Sequence, residues 1–285
     1  MTLTIKIWDV QKGLAVYANT PNGKHIIIDA GTGSNEDKEF YPLYHLNKNY
    51  GLRQIDYAII THPHKDHIQE IKNLDALKPK VLYRPSHITK DDVGEIRKED
   101  DAIFNTYFSL SERYNQSVPD SENPKNPDNN GGVIIKTFHP NKSSKDNLNN
   151  HSIVTLFEYA TSKVLVPGDN ETSAWSELLE DDDFKNSIKN VDVFIAPHHG
   201  RESAFHNDLF NQFTPKVVII SDGPVTETNA SSKYSNIASG WMIFSRSDSE
   251  IKEERKCIST RKDGMIQIKM GYNEGNKPFL NITKT

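Results

Sequence analysis

Cysteine is nearly missing from this sequence: Cys257 is the one cysteine in 285 residues. That excludes an intrachain disulfide and leaves no cysteine cluster to ligate a metal. The lone thiol reads as a half-buried strand residue, and its solitude suits a reducing, cytoplasmic setting. Long apolar runs are missing too, since none approaches the ~18 residues a membrane-spanning helix requires. The opening stretch, Met1-Thr2-Leu3-Thr4-Ile5-Lys6-Ile7-Trp8, shows neither the basic nor the apolar region of a secretory signal. Net positive charge is absent as well: the formal charge is −5. No global field therefore attracts nucleic acid, and any such substrate has to be held by a local basic patch and by metals. With 35% hydrophobic residues and a mean hydropathy of −0.67, the chain reads as a soluble protein with generous polar loops. It is long enough to bury a core without staples.

What is present is histidine, in one place. Thr61-His62-Pro63-His64-Lys65-Asp66-His67 puts three imidazoles and one carboxylate within six residues. The apolar run Ile55-Asp56-Tyr57-Ala58-Ile59-Ile60 precedes it and predicts a short buried strand. The ligand spacing thus falls where a strand ends, and Pro63 helps turn the chain there. Imidazole nitrogens and carboxylate oxygens suit a zinc-like divalent ion. His62 and His64 can converge on one ion, while Asp66 and His67 can reach a second. Dinuclear sites of this type hold their ions ~3.5–4 Å apart and clamp attacking and leaving oxygens together.

Read in order, the chain alternates strands with helices. Leu3–Trp8 and Leu14–Ala18 are strands, and Asn22-Gly23 marks a hairpin into His25–Ile28. That strand ends in Asp29-Ala30-Gly31, placing a carboxylate at a sheet edge where it can orient a neighbouring ligand. Helices are expected over 40–50 and 68–74, with a strand at Val81–Arg84. Residues 87–130 read as an insertion with one helix, faced by Ile103, Phe104, Tyr107, Phe108 and Leu110, and a long turn-rich loop. Such a loop suggests a lid. Strands are expected over 133–138, 153–159, 164–167, 191–195 and 217–220, and a helix over 172–180. A closing hairpin is expected from Ile258 to Met265–Met270 around Lys262-Asp263-Gly264. Polar residues recur at strand ends: Asp29, His62–His67, Asp169, His198-His199. That recurrence predicts one α/β domain over residues 1–285 whose sheet edges line a single pocket. His25, His45, His87, His139 and His206 read as surface or packing residues, and the 250–256 charge run as a solvated face.

These motifs together resemble the metallo-β-lactamase-fold superfamily, and within it the hydrolase domain of ComEC-type competence proteins and their free-standing relatives. The resemblance is carried by Asp9-Val10 with Gly13, Thr20-Pro21-Asn22-Gly23, Asp29-Ala30-Gly31, the 61–67 motif, Asn149 with Ser152, Gly168-Asp169, His198-His199-Gly200 and Ser259–Gly264. It implies a four-layer αββα sandwich and two divalent ions, Zn2+ or Mn2+. It further implies that His62 and His64 ligate one ion, Asp66 and His67 the other, and that Asp169 bridges them. By the same resemblance His199 of the tandem pair would ligate, and His198 would face the leaving group or phosphate. His151 falls where the superfamily places a third histidine of the first ion. Three motifs depart from the branch: Asp-Val-Gln-Lys-Gly opens the chain, Gln69-Glu70 stands where two glycines are expected and would crowd the pocket rim, and the Asn229–Tyr234 stretch is degraded.

The chemistry implied is hydrolysis by a dinuclear-metal-activated hydroxide. Asp66 or Asp169 accepts the water's proton, and His198 protonates the leaving oxygen. A small or single-stranded phosphodiester is the leading substrate. A carboxylic ester, lactone or thioester, or a metal-binding regulatory role beside protein partners, stands as the alternative. No membrane association is expected. A purely structural zinc site normally closes four-coordinate around thiolates and imidazoles. Seven candidate ligands without a cysteine do not fit it.

Overall fold

The computed structural model describes residues 1–35, 38–223, 229–248 and 250–285. The chain starts as an antiparallel meander, β1 (Thr2–Ile7), β2 (Val16–Asn19) and β3 (His25–Ile28). A small hairpin follows, β4 (Gly33–Asn35) with β5 (Lys38–Phe40), then α1 (Pro42–Tyr50) and β6 (Tyr57–Ile59). Next come α2 (Lys65–Ile68), α3 (Ile71–Ala76), β7 (Val81–Tyr83) and α4 (Asp101–Arg113). The middle of the chain gives β8 (Ile134–Phe138), β9 (Val154–Tyr159), β10 (Ser162–Val166), α5 (Thr172–Leu178), α6 (Asp182–Ile188), β11 (Val193–Ile195) and β12 (Val217–Ile220). The last part gives α7 (Ser231–Ile237), β13 (Trp241–Ser245), β14 (Lys252–Arg255), β15 (Cys257–Ser259), α8 (Thr260–Asp263), β16 (Ile266–Tyr272) and β17 (Pro278–Lys284).

Two sheets result. One has nine strands in the order β14-β13-β17-β16-β1-β2-β3-β6-β7, the other six in the order β15-β12-β11-β10-β9-β8. Alternation explains how they stack. Ile5, Ile7, Ile26, Ile28 and Ile268 point from the first sheet into a core shared with Phe157, Val164, Ile195 and Ile219 of the second. The opposite face of the first sheet, with Ile27, Ala58 and Leu82, buries the apolar sides of α1, α3 and α4. The far face of the second sheet, with Leu156, Leu165, Phe194 and Val218, buries Trp175, Phe184 and Tyr234 from α5, α6 and α7. The architecture is the αββα sandwich.

Strands β3, β6 and β7 run parallel, as do β10, β11, β12 and β15. Their carboxyl ends meet at one edge of the sandwich, where ligands of open α/β sheets gather.

The structure corrects several expectations. The helix expected over 68–74 is two short helices broken at Gln69-Glu70. Glu70 is buried and does not crowd a pocket rim. Its carboxylate accepts the Leu43 and Tyr44 N–H groups at 2.7 and 2.6 Å, satisfying the first turn of α1. The expected closing hairpin does not form. β15 pairs with β12 in the six-stranded sheet, α8 crosses between layers, and β16 pairs with β1 and β17. Ile258 and Ile266 thus reach the shared core from opposite sheets. Residues 87–130 do not form a lid. Phe104, Tyr107 and Leu110 of α4 are buried in the outer layer with α2 and α3. The following loop is tied to the first hairpin, where Asn22 Nδ2 donates to the Asn129 carbonyl at 2.9 Å.

Candidate metal centre

β6 delivers the histidine motif, and β3 fixes how it is presented. Asp29 lies in the left-handed region at φ 60, which a short polar side chain tolerates better than most. The Asp29 carboxylate is fully buried; its Oδ1 accepts the Thr61 N–H at 2.7 Å and its Oδ2 the Thr61 hydroxyl at 2.7 Å. His67 Nδ1–H donates to the same Oδ2 at 2.7 Å. That tie directs His67 Nε2 to Asp169 Oδ2, 3.2 Å away, the carboxylate–histidine arrangement that orients metal ligands. His62 has Nδ1 against the Thr61 and Ser152 hydroxyls at 3.1 and 3.2 Å. Its Nε2 is 3.0 Å from His64 Nδ1, so the two rings turn their nitrogens to one point. Gly13 backs this loop against the Asp66 carbonyl, where no Cβ fits.

The six-stranded sheet supplies the rest. After β10, Gly168 adopts φ +63; a Cβ there would stand 2.8 Å from the Ser152 Cβ and 2.9 Å from the Thr61 Cβ. The turn lets the Asp169 N–H donate to Ser152 Oγ at 3.0 Å. After β11, His198 (φ 47, ψ 48) and His199 (φ 54, ψ 30) are two consecutive left-handed residues, each a strain of roughly 1–3 kcal/mol. His199 Nδ1–H donates to the Ser221 carbonyl at 3.1 Å, which turns Nε2 to Asp169 Oδ2 at 3.4 Å and Asp66 Oδ2 at 3.6 Å.

One atom, Asp169 Oδ2, therefore lies 3.2, 3.4 and 4.0 Å from His67, His199 and His62 Nε2. Two donor groups overlap around it, His62–His67–Asp169 and Asp66–His67–His199, each with one atom per residue within 4.8 Å of the others. His64 joins through His62.

Charge is partitioned to match. Burial and then the charges of His67 and His64 push His62 well below the ordinary imidazole range. Burial is also the main influence lowering His64. Both rings are therefore neutral, as a ligating imidazole must be. Burial would raise Asp169, but the charges of His67 and His199 prevail and hold it well below the carboxylate range. Asp66 is lowered in the same manner, against burial, by His199 and His67. Burial opposes the charged form of His67, yet Asp169 and Asp29 carry that ring well above its usual value. His199 is likewise carried up to about 9, against burial, mainly by Asp169. A divalent cation requires nitrogen and ionised oxygen donors, so the additional protons that the carboxylates hold on His67 and His199 would have to leave as it binds. The residues present fit a cation pair.

One expected ligand, His151, lies elsewhere, while His198, expected to face the leaving group and not to ligate, stands beside the donor groups. His198 belongs to neither donor group: its Nδ1 faces Glu171 Oε1 at 3.0 Å, at the rim. Glu171 in turn accepts the Ser203 hydroxyl at 2.8 Å and Asn147 Nδ2 at 2.7 Å. The sequence reading missed Glu171; its signal was a carboxylate two residues past Asp169. His151 is not directed into the cluster. Its Nδ1 is 2.9 Å from His87 Nε2 and its Nε2 3.2 Å from the Ser144 carbonyl. The 3-10 turn over Leu148–His151 presents Ser152, not His151, to His62.

An αββα sandwich with overlapping His/Asp donor groups at one sheet edge defines a metallo-hydrolase class, and comparison with known proteins gives the family. Residues 10–221 match the sequence profile of the metallo-beta-lactamase superfamily. The chain belongs to that superfamily. It is 26% identical over 227 residues to Recombination protein 2 of Haemophilus influenzae, across 78% of this chain and 24% of that protein. The chain thus spans about a quarter of the length of that relative. Among solved structures it is similar to the metallo-beta-lactamase fold protein YhfI from Bacillus subtilis, at 12% identity and a TM-score of 0.47 over 83% of this chain and 94% of that one. It is also similar to a diphosphatase from the PhnP family, at 11% identity and a TM-score of 0.45 over 95% of this chain and 98% of that one.

Proposed function

We propose that the chain is a metal-dependent phosphodiesterase that cleaves small or single-stranded phosphodiesters, working in the cytoplasm. Two divalent cations, Zn2+ or Mn2+, would be held by His62, His64, Asp66, His67, Asp169 and His199. The observation that carries this reading is the position of Asp169 Oδ2 between two overlapping donor groups. When bound, such cations would lower the pKa of water towards ~7 and offset negative charge on phosphoryl oxygens. The chain's own residues do the remainder. Asp29, Ser152 and Ser221 fix the tautomers and ring planes of His67, His62 and His199. Asp66 and Asp169, kept ionised, are the groups able to take a proton from water. His198, anchored through Nδ1 on Glu171 and held below the usual imidazole range chiefly by burial, has to take up a proton on Nε2, the one released by the attacking water, before passing it to the leaving oxygen.

Size selection follows from charge. A long duplex is bound through many Lys and Arg contacts with phosphates, and a net charge of −5 supplies no overall attraction for it. The test is a panel of bis-p-nitrophenyl phosphate, cyclic nucleotides, short single strands, duplex DNA, a lactone and a thioester. Hydrolysis of the small and single-stranded phosphodiesters is expected, with weak salt dependence on the smallest. Asp169→Ala should lower the rate at least ~100-fold with an unchanged circular dichroism spectrum. Efficient, steeply salt-sensitive cleavage of duplex, or activity confined to the lactone or thioester, would overturn the reading.

A further inference from the structure

The outer face of the nine-stranded sheet carries a second concavity, of about 610 Å³, with no carboxylate in its lining. Strand alternation builds it. While Ile5 and Ile7 enter the core, Thr4 and Lys6 face outward on β1. Register then sets Lys6 beside Tyr17 of β2 and Gln267 of β16, and Thr4 beside Lys269. The end of α1 and the residues after it, Tyr50 to Arg53, form one wall.

Lys6 is held among aromatic rings, its Nζ 5.0 Å from the Tyr50 centroid, 5.4 Å from Trp8 and 5.9 Å from Tyr17. Tyr17 stacks on His25 at 5.9 Å and hydrogen-bonds to its Nδ1 at 2.8 Å, making a rigid floor. Tyr50 is 61% exposed. Among the described residues no ion pair involves Lys6, Arg53 or Lys269. Asp56, which accepts the His25 N–H, is engaged by Lys24 at 3.3 Å and Lys80 at 3.1 Å. A solvated sheet face ordinarily sets opposite charges across strands, because like charges there repel. Here cations are gathered without acids in a chain whose net charge is −5. Burial and the charges of Arg246 and Lys269 already push the Lys6 ammonium down, a strain that a bound anion relieves.

We propose that this concavity is a nucleotide-unit site separate from the metal centre, taking a phosphate on Lys6, Lys269 and Arg53 and a base on the exposed face of Tyr50. The basic groove and the aromatic platform are the two parts by which a single strand is held without reading its sequence. The unit could be a free nucleotide or one nucleotide of a strand, and the chemistry is shared.

The test uses the full chain carrying Asp169→Ala, so that no strand is cut, in the presence of chelator. Fluorescein-labelled oligothymidylate, ADP and inorganic phosphate are the probes, followed by anisotropy and calorimetry. Binding should persist under chelation. Lys6→Gln with Lys269→Gln should weaken it about 10-fold and flatten the salt slope by about 1.4, two contacts at ~0.7 each for a single strand. Lys6→Arg with Lys269→Arg should retain it, which separates charge from folding. Tyr50→Ala should weaken oligothymidylate and ADP roughly 5-fold or more and phosphate by less, since Lys6 keeps the Trp8 and Tyr17 rings. ADP competing with the oligomer identifies a free nucleotide as occupant, and binding of the oligomer alone identifies a strand; either supports the site. Unchanged affinity in the Lys6→Gln/Lys269→Gln protein, loss of all binding with chelator, or a silent Tyr50→Ala would overturn it. Because the metal centre is disabled throughout, that failure leaves the hydrolase reading untouched.

Discussion

Asp29→Asn isolates the orientation of one ligand from the ligands themselves. Asp29 touches no reacting atom, yet three donors converge on its carboxylate: the Thr61 N–H, the Thr61 hydroxyl and His67 Nδ1–H, all at 2.7 Å. An asparagine keeps the volume but offers one acceptor oxygen and one NH2. If the oxygen stays on the Thr61 N–H, the amide hydrogens oppose His67 Nδ1–H. The ring can then relieve the clash only by moving its proton to Nε2, the nitrogen that faces Asp169. A protonated nitrogen cannot ligate. Loss of such an orienting partner costs 10–100-fold in metal affinity, about 1.4–2.8 kcal/mol. The buried polar mismatch should take a further ~1–3 kcal/mol from folding stability. Zinc titration against a competing chelator measures the first quantity and urea denaturation of chelated protein the second. Affinity within twofold of the unsubstituted chain, in a folded protein, would refute the orientation argument.

Other outcomes are equally specific. The purified chain should bind close to two divalent ions by elemental analysis, and His62→Ala with His64→Ala should lose at least one. Chelation should lower stability by about 2.7 kcal/mol relative to protein at 100 times Kd of free metal, read as a fall in Tm of several degrees. His151→Ala should leave the metal titration unchanged within twofold, because its nitrogens are engaged by His87 and Ser144; a tenfold loss would return it to the ligand set. The His199 ring is carried up to about 9 from 6.5. A raised group contributes stability in full below its unfolded value and loses it as pH rises through the folded one. The Tm of chelated protein should therefore fall between pH 6.5 and 9, and His199→Gln should flatten that decline.

Local pattern made the site legible where one strand and its own turn hold the information. The β-branched run before Thr61 and the spacing through His67 located the candidate donors of the first half without any tertiary knowledge. Gly168-Asp169 and His198-His199 were readable as strand ends for the same reason. His151 failed because the direction of a side chain in a 3-10 turn depends on backbone angles that composition does not encode. Glu171 went unseen since its partners His198, Ser203 and Asn147 come from separate segments. α6 was missed although Asp181 caps it, accepting the Asp183 N–H at 2.8 Å. Its buried apolar residues are only Phe184 and Ile188, too few for a helical period to register. The final strands were mispaired because Ile258 and Ile266 each suit a buried strand, and nothing nearby says that they serve different sheets. Pairing of β16 with β1 is a contact between the two ends of the chain.

That end-to-end pairing governs how the molecule is made. β1 is synthesised just before β2 and can pair with it at once, but its other edge stays open until β16 is made. Until β16 follows, Leu3, Ile5 and Ile7 belong to an uncapped strand, a template for wrong partners. Contacts of such sequence separation close slowly. The six candidate metal donors are all synthesised before the sheet that carries four of them can be completed, so the nascent chain presents His62 to His67 ahead of a finished pocket. Release of a chain stopped before residue 264 would yield aggregates in place of a weakened enzyme, and folding yield should depend on chaperone supply more than on metal supply.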